Sequence, residues 1–428
     1  MRVLFTAHAE RTHLLGMVPL AWEFQNLGHE VRVAVQPSMV DTVTGAGLTA
    51  VPVGKDHQLG AVVQASQSLP EEETEPEFDF TRPADELTWD YLTSGYRDNV
   101  HWWWRVVNEP MIDDLIAFAQ HWRPDLVVWE PLTFAGSLAA AVCGARHARL
   151  LWSVDLFGRM RGHYLRHKAQ RSAFGREDAL ARWLTDRLQP HGVRFHEDLV
   201  SGQFSIDCIP DSLRADAGLD LPTDHDYLPM RYVPYNGKAV VEPWLRKAPD
   251  RPRVCLTLGT SLQAYFDKYA VPVADVLEAL ADLDVEVVAT IAEAEQRKLT
   301  SVPANVRLVS FVALNVLAPT CSVVINHAGP GTLFTVARHA VPQLLVPKVF
   351  DEPVLARLIP RHGAGLVIPP GEVTADGLTK SVGELLTEPS YRAGAEALAG
   401  TLRAMPGPAE VVRAIEARLA ADGCTGVA

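Results

Sequence analysis

The stretch SVVINHAGPGTLFTVARHA, residues 322–340, predicts the fold of the part of the chain around it. An apolar run ends at Asn326 and His327, a turn with two glycines follows, and a segment with helical spacing begins at once. This order is typical of a buried strand, a tight turn and a helix in a parallel sheet. Such sheets bind ligands outside the carboxyl ends of their strands, so this turn is a candidate binding site.

The same alternation of strand and helix runs through most of the chain. Before residue 155, strands are predicted at residues 2–7, 30–35, 48–53, 125–129 and 147–152, with helices between them. The rhythm restarts later, with strands at residues 253–258, 286–291, 307–309, 322–326 and 343–346. We therefore predict an α/β protein of two doubly wound Rossmann-like domains that face each other across a cleft.

Composition shifts predict the domain boundaries. Residues 231–251 combine prolines, a glycine and charges without periodicity, as in an interdomain linker. We therefore expect an N-terminal domain at 1–230, the linker at 231–251 and a C-terminal domain at 252–405. Residues 406–428 are predicted to form a helix that packs back on the first domain.

Two segments interrupt the pattern. The alternation fails across residues 59–108, where the acidic EEETEPEFDF, residues 71–80, is predicted to be a solvated loop. Residues 157–174, rich in Arg, His and Lys, are predicted to be an exposed loop and helix. Three adjacent tryptophans in HWWWR, residues 101–105, cannot share one helix face, so at least one should line a cleft or meet a partner.

Composition excludes several classes of protein. The net charge of −13 over 428 residues argues against nucleic-acid binding through the whole surface. No uncharged run approaches the roughly 18 residues of a membrane-spanning helix. The 5 cysteines are far apart and form no CxxC pair, which is typical of a cytoplasmic protein without a disulfide framework or a cysteine metal site.

The motif HAGPGT, residues 327–332, has the chemistry of an anion site. Gly329 and Gly331 let a ligand approach the backbone closely, and Thr332 is a good N-cap. The helix behind them directs free N–H groups and a partial positive charge at the turn, with His327 as a further donor. A tight connection with a backbone-paired histidine remains the alternative. The motif is neither GxGxxG nor a P-loop, which disfavours a dinucleotide dehydrogenase.

A strand that ends in histidine and continues as xGxGT, in the second of two doubly wound domains, resembles the nucleotide-sugar signature of family 1 GT-B glycosyltransferases. The segments MRVLFTAHAERTHLLGMVPLAW, WRPDLVVWEPLTFAG and RVCLTLGTS resemble the bacterial deoxysugar transferases of polyketide antibiotics. The erythromycin desosaminyltransferase group and the anthracycline aminosugar transferases are the most similar, and the resemblance covers nearly the whole chain. It implies inverting transfer of a deoxysugar, which can be an amino sugar, from a dTDP-sugar to a polyketide aglycone hydroxyl.

The resemblance also implies residues for the donor site. His327 would bind the diphosphate, with Gly329, Gly331 and Thr332 around it, and Ser261 would be a further diphosphate contact. The transfer would need neither a cofactor nor a metal ion, in agreement with the absence of an Asp-x-Asp motif.

Other donor contacts would bind the base and the sugar. Val312 matches the segment whose backbone pairs with the base, and Asp351 and Glu352 match an Asp-Gln pair that holds sugar hydroxyls. The change from Gln to Glu would suit a deoxygenated sugar or one that carries an ammonium group. The alternative for Glu352 is an exposed residue in the first turn of a helix.

The catalytic base is expected in the first domain. An acceptor hydroxyl benefits from a base that titrates near pH 7, and His13 follows the first strand where the family keeps its catalytic histidine. Glu130 ends another strand and could orient His13, while His8 is the weaker candidate for the base. A merely exposed or helix-capping His13 is the alternative.

Other functions and partners stay open at this stage. Carbon glycosylation of an aromatic polyketide, nucleotide-sugar epimerisation and a non-catalytic ligand-binding role are the alternatives to oxygen glycosylation. Several members of the group work with a cytochrome P-450-like helper protein, for which residues 159–187 and 101–104 are candidate surfaces. A homodimer is a further partner that the resemblance leaves open.

Overall fold

The structure is a computed structural model that describes residues 1–67, 78–172, 175–259, 271–369 and 371–425. The chain forms two compact units. The first comprises Met1–Ile209, Leu219–Arg231 and Pro406–Ala428, and the second comprises Pro210–Gly218 and Tyr232–Met405. Among the described residues, no helix combines the length and the apolar character that a bilayer-spanning segment requires.

The first unit is built on a parallel sheet of seven strands in the order β3-β2-β1-β4-β5-β6-β7. The direction of winding reverses between β1 and β4, which pair from Val3 opposite Leu126 to Thr6 opposite Trp129. This is the position at which doubly wound sheets bind their ligands. The strands are β1 (Arg2–Thr6), β2 (Glu30–Val35), β3 (Ala50–Pro52), β4 (Leu126–Trp129), β5 (Arg146–Leu150), β6 (Ser205–Asp207) and β7 (Tyr227–Pro229).

The second unit repeats this plan with six parallel strands in the order β10-β9-β8-β11-β12-β13. The winding reverses between β8 and β11, where Thr257 lies opposite Asn326. The strands are β8 (Arg253–Thr257), β9 (Glu286–Thr290), β10 (Val306–Val309), β11 (Val323–Asn326), β12 (Gln343–Leu345) and β13 (Gly365–Val367).

Apolar runs explain why the central strands of both sheets are buried. Every residue of β4 is fully buried, as are Val323, Val324 and Ile325 of β11. Strands of this kind need cover on both faces, which helices supply in parallel sheets. The α/β fold with two doubly wound sheets is therefore confirmed.

The helices connect these strands, and the last helix of the chain packs against the first. The helices are α1 (Arg11–Asn26), α2 (Val40–Gly45), α3 (Leu59–Gln67), α4 (Trp89–Asn99), α5 (Arg105–Trp122), α6 (Phe134–Cys143), α7 (Leu156–Ala169), α8 (Ala179–Leu188), α9 (Asp198–Ser201), α10 (Asp211–Asp216), α11 (Val273–Ala279), α12 (Glu293–Gln296), α13 (Leu314–Leu317), α14 (Pro330–Arg338), α15 (Glu352–Arg361), α16 (Ala375–Thr387), α17 (Pro389–Ala404) and α18 (Pro408–Thr425).

Residues 71–77 of the predicted solvated loop lie outside the described residues, and Phe80 at its end is buried. The described residues on either side of this stretch are mostly helical. They form α3, α4 and a π-helical turn over Val100–Trp104 that leads into α5. Aromatic packing stabilises this region, because Tyr96 contacts the ring of Trp104 and both side chains are buried. Trp102, two residues before Trp104, is 58% exposed, so these two tryptophans do lie on different faces.

Residues 232–251 pack as part of the second unit instead of forming a separate linker. Leu245 lies in a buried cluster with Cys255 and Val324, and the Trp244 ring lies beneath the guanidinium of Arg253, 5.3 Å from its centroid. The short segment Pro210–Gly218 also groups with this unit, in part through an ion pair of 3.3 Å between Asp216 and His362.

The described part of the basic segment, residues 157–172, is less exposed than its composition predicts. Arg159 and Arg161 of α7 are buried. Arg159 donates to Asp220 at 2.8 Å, and Arg161 pairs with both Asp178 and Glu197. Acidic partners far along the chain therefore compensate these charges inside the first unit.

Candidate active site

The first candidate site lies at the carboxyl ends of β1 and β4. After β1, the backbone N–H of His8 donates to the Thr133 hydroxyl at 2.8 Å. The Glu10 carboxylate then accepts from the Thr12 N–H and starts α1, which places His13 as the third residue of the helix. His8 is buried, and the side chain of His13 is 16% exposed.

Glu130 connects the two histidines through separate oxygens. Its Oε1 lies 2.9 Å from Nδ1 of His8, and its Oε2 lies 3.2 Å from Nδ1 of His13. Oε1 also accepts from the Thr133 hydroxyl, and Oε2 from the Leu132 N–H at 3.0 Å. The structure thus brings together His13 and Glu130, which the sequence places 117 residues apart.

These contacts determine the charge of Glu130. Burial alone would raise its pKa, but the positive charge of His8 and the hydrogen bonds from His13 and His8 hold the pKa well below its ordinary value. The group is therefore a carboxylate at neutral pH. A carboxylate at Nδ1 of His13 favours the tautomer with the proton on Nδ1, which leaves the Nε2 lone pair for a substrate proton.

Trp152 is a further member of this site that the sequence analysis did not select. Its ring stacks on the imidazole of His13 with centroids 4.7 Å apart, and its Nε1–H donates to Oε2 of Glu130 at 3.3 Å. The available signal was its position two residues after β5, the strand next to β4 in the sheet.

His57 is another nearby histidine that sequence reasoning missed. Its ring centroid lies 5.6 Å from that of His8. Burial and the charge of His8 lower the pKa of His57 to about 4, so its imidazole is neutral at physiological pH. This adds an uncharged polar ring to the surroundings of the carboxylate.

His8, His13 and Glu130 offer ligand atoms that lie within 4.8 Å of one another, a spacing that a metal ion could use. The two imidazole groups, the Thr133 hydroxyl, the Leu132 N–H and the Trp152 indole already direct protons at the carboxylate oxygens. Hydrogen bonding therefore accounts for this arrangement, and an ion would have to displace imidazole protons.

The second candidate site lies at the carboxyl ends of β8 and β11, in the second unit. His327 follows β11, and burial lowers its pKa to about 4, opposed by a backbone hydrogen bond with Thr257. The imidazole is therefore neutral at pH 7. In that form it can still donate one N–H to an anion without carrying a charge itself.

Two glycines make room for this histidine. A Cβ atom on Gly259 would lie 2.6 Å from the His327 ring, and one on Gly329 would lie 2.3 Å from its Nε2. Gly259 also has a φ of +77°, which side chains disfavour. Any larger residue at either position would displace the imidazole.

The structure corrects the predicted role of Thr332 as an N-cap. Gly329 occupies the N-cap position, α14 begins at Pro330, and Thr332 is the third helical residue. Proline suits the first position because it fixes φ and has no N–H to satisfy. The N–H groups of Gly331 and Thr332 belong to the first turn, where an α-helix offers them no internal acceptor.

Glu352 is buried as the first residue of α15, in contrast to the exposed alternative. Its Oε2 accepts from the Lys348 and Val349 N–H groups at 2.7 and 3.1 Å, and its Oε1 lies 4.0 Å from Nε2 of His327. Burial raises the pKa of Glu352 to about 7, against the effect of those hydrogen bonds. Asp351 precedes it, also buried, at the N-cap position.

The remaining donor residues are less closely connected to His327. Val312 lies between β10 and α13, and its side chain packs in the cluster that contains Leu317 and Cys255. Ser261 lies outside the described residues. The structure therefore groups His327, Gly329 and Glu352 at this site.

Comparisons with known proteins cover nearly the whole chain. Residues 22–259 match the model of the erythromycin biosynthesis protein CIII-like N-terminal domain, and residues 274–418 match that of the C-terminal domain. The 10-deoxymethynolide desosaminyltransferase of Streptomyces venezuelae is 44% identical over 99% of this chain and 98% of its own length. The aklavinone 7-beta-L-rhodosaminyltransferase of Streptomyces galilaeus is 43% identical over 97% of this chain and 95% of its own.

Solved structures agree with these relatives. The glycosyltransferase VinC, crystallised in complex with dTDP, is 39% identical and superimposes with a TM-score of 0.85 over 99% of this chain and 100% of its own. The spinosyn forosaminyltransferase SpnP is 38% identical, with a TM-score of 0.81 over 98% of this chain and 99% of its own.

Proposed function

This chain belongs to the erythromycin biosynthesis protein CIII-like family of glycosyltransferases, with a GT-B fold, and we propose that it moves a deoxysugar from a dTDP-sugar to a polyketide aglycone hydroxyl. The observation that carries this proposal is the contact between His13 and Glu130 at the point where the winding of the first sheet reverses. It supplies a base where a doubly wound sheet binds ligands.

The second unit would bind the donor. The neutral His327 and the first N–H groups of α14, from Gly331 and Thr332, suit the diphosphate of a dTDP-sugar. Gly329 keeps the approach free of side-chain atoms. Support comes from VinC, which was crystallised with dTDP and has the same fold.

The first unit would bind the acceptor and start the reaction. Nε2 of His13 takes the hydroxyl proton while the acceptor oxygen forms a bond to the anomeric carbon of the sugar. The bond from that carbon to the diphosphate oxygen breaks on the opposite face, so the anomeric configuration inverts. Glu130 stabilises the resulting imidazolium through Nδ1.

The leaving diphosphate gains negative charge as this bond breaks. Helix N–H groups and the His327 N–H already point at an anion in such a site, so they stabilise the charge without reorganising. We therefore propose a transfer that needs neither a metal ion nor an organic cofactor. Full activity after treatment with a chelator, with a metal-dependent transferase as positive control, is the expected result.

The sugar would be deoxygenated and can carry an amino group. Two relatives are a desosaminyltransferase and a rhodosaminyltransferase, and both of these sugars are amino sugars. The buried carboxyl groups of Asp351 and Glu352 would suit an ammonium group, which would favour the charged form of each acid. Val312 and Ser261 remain proposed contacts to the base and the diphosphate.

A cytochrome P-450-like helper protein remains a proposed partner, with a revised surface. Arg159 and Arg161 are buried in ion pairs, so the exposed Arg166 and Trp102 are the accessible candidates on the two surfaces. Co-expression with such a helper should raise transfer activity. Trp102→Ser should reduce this increase and leave the activity without the helper unchanged. A homodimer is a separate proposal, which sedimentation of the purified chain tests directly.

The central experiment is a mass-spectrometric screen of dTDP-deoxysugars, with and without an amino group, against macrolide and aromatic polyketide aglycones. The expected product is an aglycone heavier by one deoxysugar residue, formed with release of dTDP. Acid hydrolysis distinguishes a labile oxygen glycoside from a carbon glycoside. Epimerised donor in the absence of acceptor, with no glycoside formed, would overturn the proposal.

A further inference from the structure

We infer that Trp152 is a positioning residue for the proposed base: its indole ring fixes the plane of the His13 imidazole and stabilises the protonated ring. This inference rests on the proposed function, which assigns proton transfer to His13, and it adds a residue to that site. It concerns a side chain that acts through His13 and not through a substrate.

Two contacts of one side chain support this role. The Trp152 and His13 rings stack with an angle of 23° between their planes. The indole Nε1 also lies 3.3 Å from Oε2 of Glu130, which is the oxygen that contacts Nδ1 of His13. Trp152 therefore restrains the imidazole face and the position of its carboxylate partner together.

The backbone around Trp152 is itself well anchored. The preceding Leu151 N–H donates to the carbonyl of Ile206 at 2.9 Å. Three residues after Trp152, the buried Asp155 accepts from Arg149 at 2.6 and 3.1 Å and from the Tyr227 hydroxyl at 2.8 Å. The chain is therefore anchored both before and after Trp152, which fixes the position of the indole.

The face of an indole ring attracts a cation more strongly than it attracts a neutral ring. Its contact with His13 therefore becomes more favourable when the imidazole accepts the acceptor proton. Loss of the ring should make His13 harder to protonate and less well aligned. An interaction of this kind corresponds to a shift of about 0.5 to 1 pH unit in the His13 titration midpoint.

The experiment compares Trp152→Leu, which loses both contacts, with Trp152→Phe, which keeps the stacked ring and loses the indole N–H. Nuclear magnetic resonance of protein labelled with nitrogen-15 at histidine follows the His13 ring, assigned by its absence in His13→Gln. Steady-state kinetics give kcat and KM across pH. The control is Trp122→Leu, the same change at a residue of α5 outside the site.

We expect Trp152→Leu to lower the His13 midpoint by about 0.5 to 1 unit and kcat by about 10-fold, with KM nearly unchanged. The His13 midpoint in Trp152→Phe should lie close to that of the wild-type protein. An unchanged midpoint in Trp152→Leu would overturn the inference, as would a Trp152→Phe protein that shifts as far as Trp152→Leu. The titration needs no substrate, so a wild-type protein without transfer activity would refute the proposed function separately.

Discussion

Each unit contains a buried glutamate near a histidine, and the two glutamates differ in charge. Glu130 contacts His8 and His13 within 3.2 Å, and its pKa lies well below the ordinary value. Glu352 is 4.0 Å from His327, and burial raises its pKa to about 7. The buried glutamate is therefore ionised in the first unit, whereas in the second unit it is about half-protonated near neutral pH.

The difference follows from what surrounds each carboxyl group. Two imidazoles, a hydroxyl, an indole N–H and the Leu132 N–H direct protons at the Glu130 carboxylate, whereas the Lys348 and Val349 N–H groups donate to Glu352. An ionised glutamate supports a histidine that gains a proton. A neutral histidine beside a protonable glutamate instead tolerates an approaching anion, because neither group must carry a negative charge.

His13→Ala should have the largest effect, because the proposed mechanism assigns proton transfer to His13 and Glu130 and not to His327 and Glu352. We expect kcat to fall about 10³-fold, since a positioned base contributes roughly 10²- to 10⁴-fold. The affinity for dTDP, measured by calorimetry, should stay unchanged. The exposed His191 provides the control His191→Ala, which should retain activity. Full transfer by His13→Ala would remove His13 as the base.

Glu130→Gln should have the next largest effect. The amide keeps a similar shape but loses the charge that supports the His13 imidazolium, so we expect kcat to fall about 10²-fold with KM little changed. The exposed Glu86 offers Glu86→Gln as a charge-matched control in the same unit. If kcat were insensitive to Glu130→Gln, Glu130 would have a structural role only.

His327→Ala tests the second pair through binding. A hydrogen bond to a charged group contributes about 1.5–3 kcal/mol, so the Kd for dTDP should rise by roughly 10- to 100-fold. The titration of His13 should not respond, because it belongs to the first unit. The control is His362→Ala, whose ion pair with Asp216 is partly exposed. An unchanged Kd would mean that His327 does not bind the diphosphate.

Strong local patterns explain what the sequence could predict. The apolar runs of β1, β4, β8 and β11 identify buried parallel strands, and the carboxyl ends of such strands meet at one edge. The resemblance to the glycosyltransferase family selects His13 over His8 as the base, whereas strand-end reasoning alone places Glu130 and His327 at such edges. Strand-end reasoning needs no knowledge of which strands are neighbours, because all carboxyl ends of a parallel sheet share that edge.

The features that the sequence could not predict are side-chain contacts between segments that lie far apart in the chain. Trp152 looks like any aromatic residue after a strand, and its stacking on His13 depends on the turn that Asp155 fixes. Arg159 reads as an exposed charge, yet its partner Asp220 lies 61 residues away. Between residues 78 and 108 the buried rings of Tyr96 and Trp104 pack against each other, a contact that the sequence pattern did not show.

Glu352→Gln should have the smallest effect and tests the raised pKa directly. A group whose folded pKa exceeds its unfolded value stabilises the fold fully below the unfolded pKa and less as pH rises through the folded one. For Glu352 the window runs from 4.5 to about 7, so the wild type should lose on the order of 2 kcal/mol across it relative to Glu352→Gln.

The measurement is urea unfolding of both proteins at pH 4.5, 6 and 8, with the difference in unfolding free energy taken at each pH. Gln can still accept from the Lys348 and Val349 N–H groups, so the difference isolates the ionisation of Glu352. The exposed Glu372 provides the control Glu372→Gln, whose difference should be flat. A flat difference for Glu352→Gln as well would mean that Glu352 ionises normally, and the contrast with Glu130 would then lie in their hydrogen-bond donors rather than in their charge.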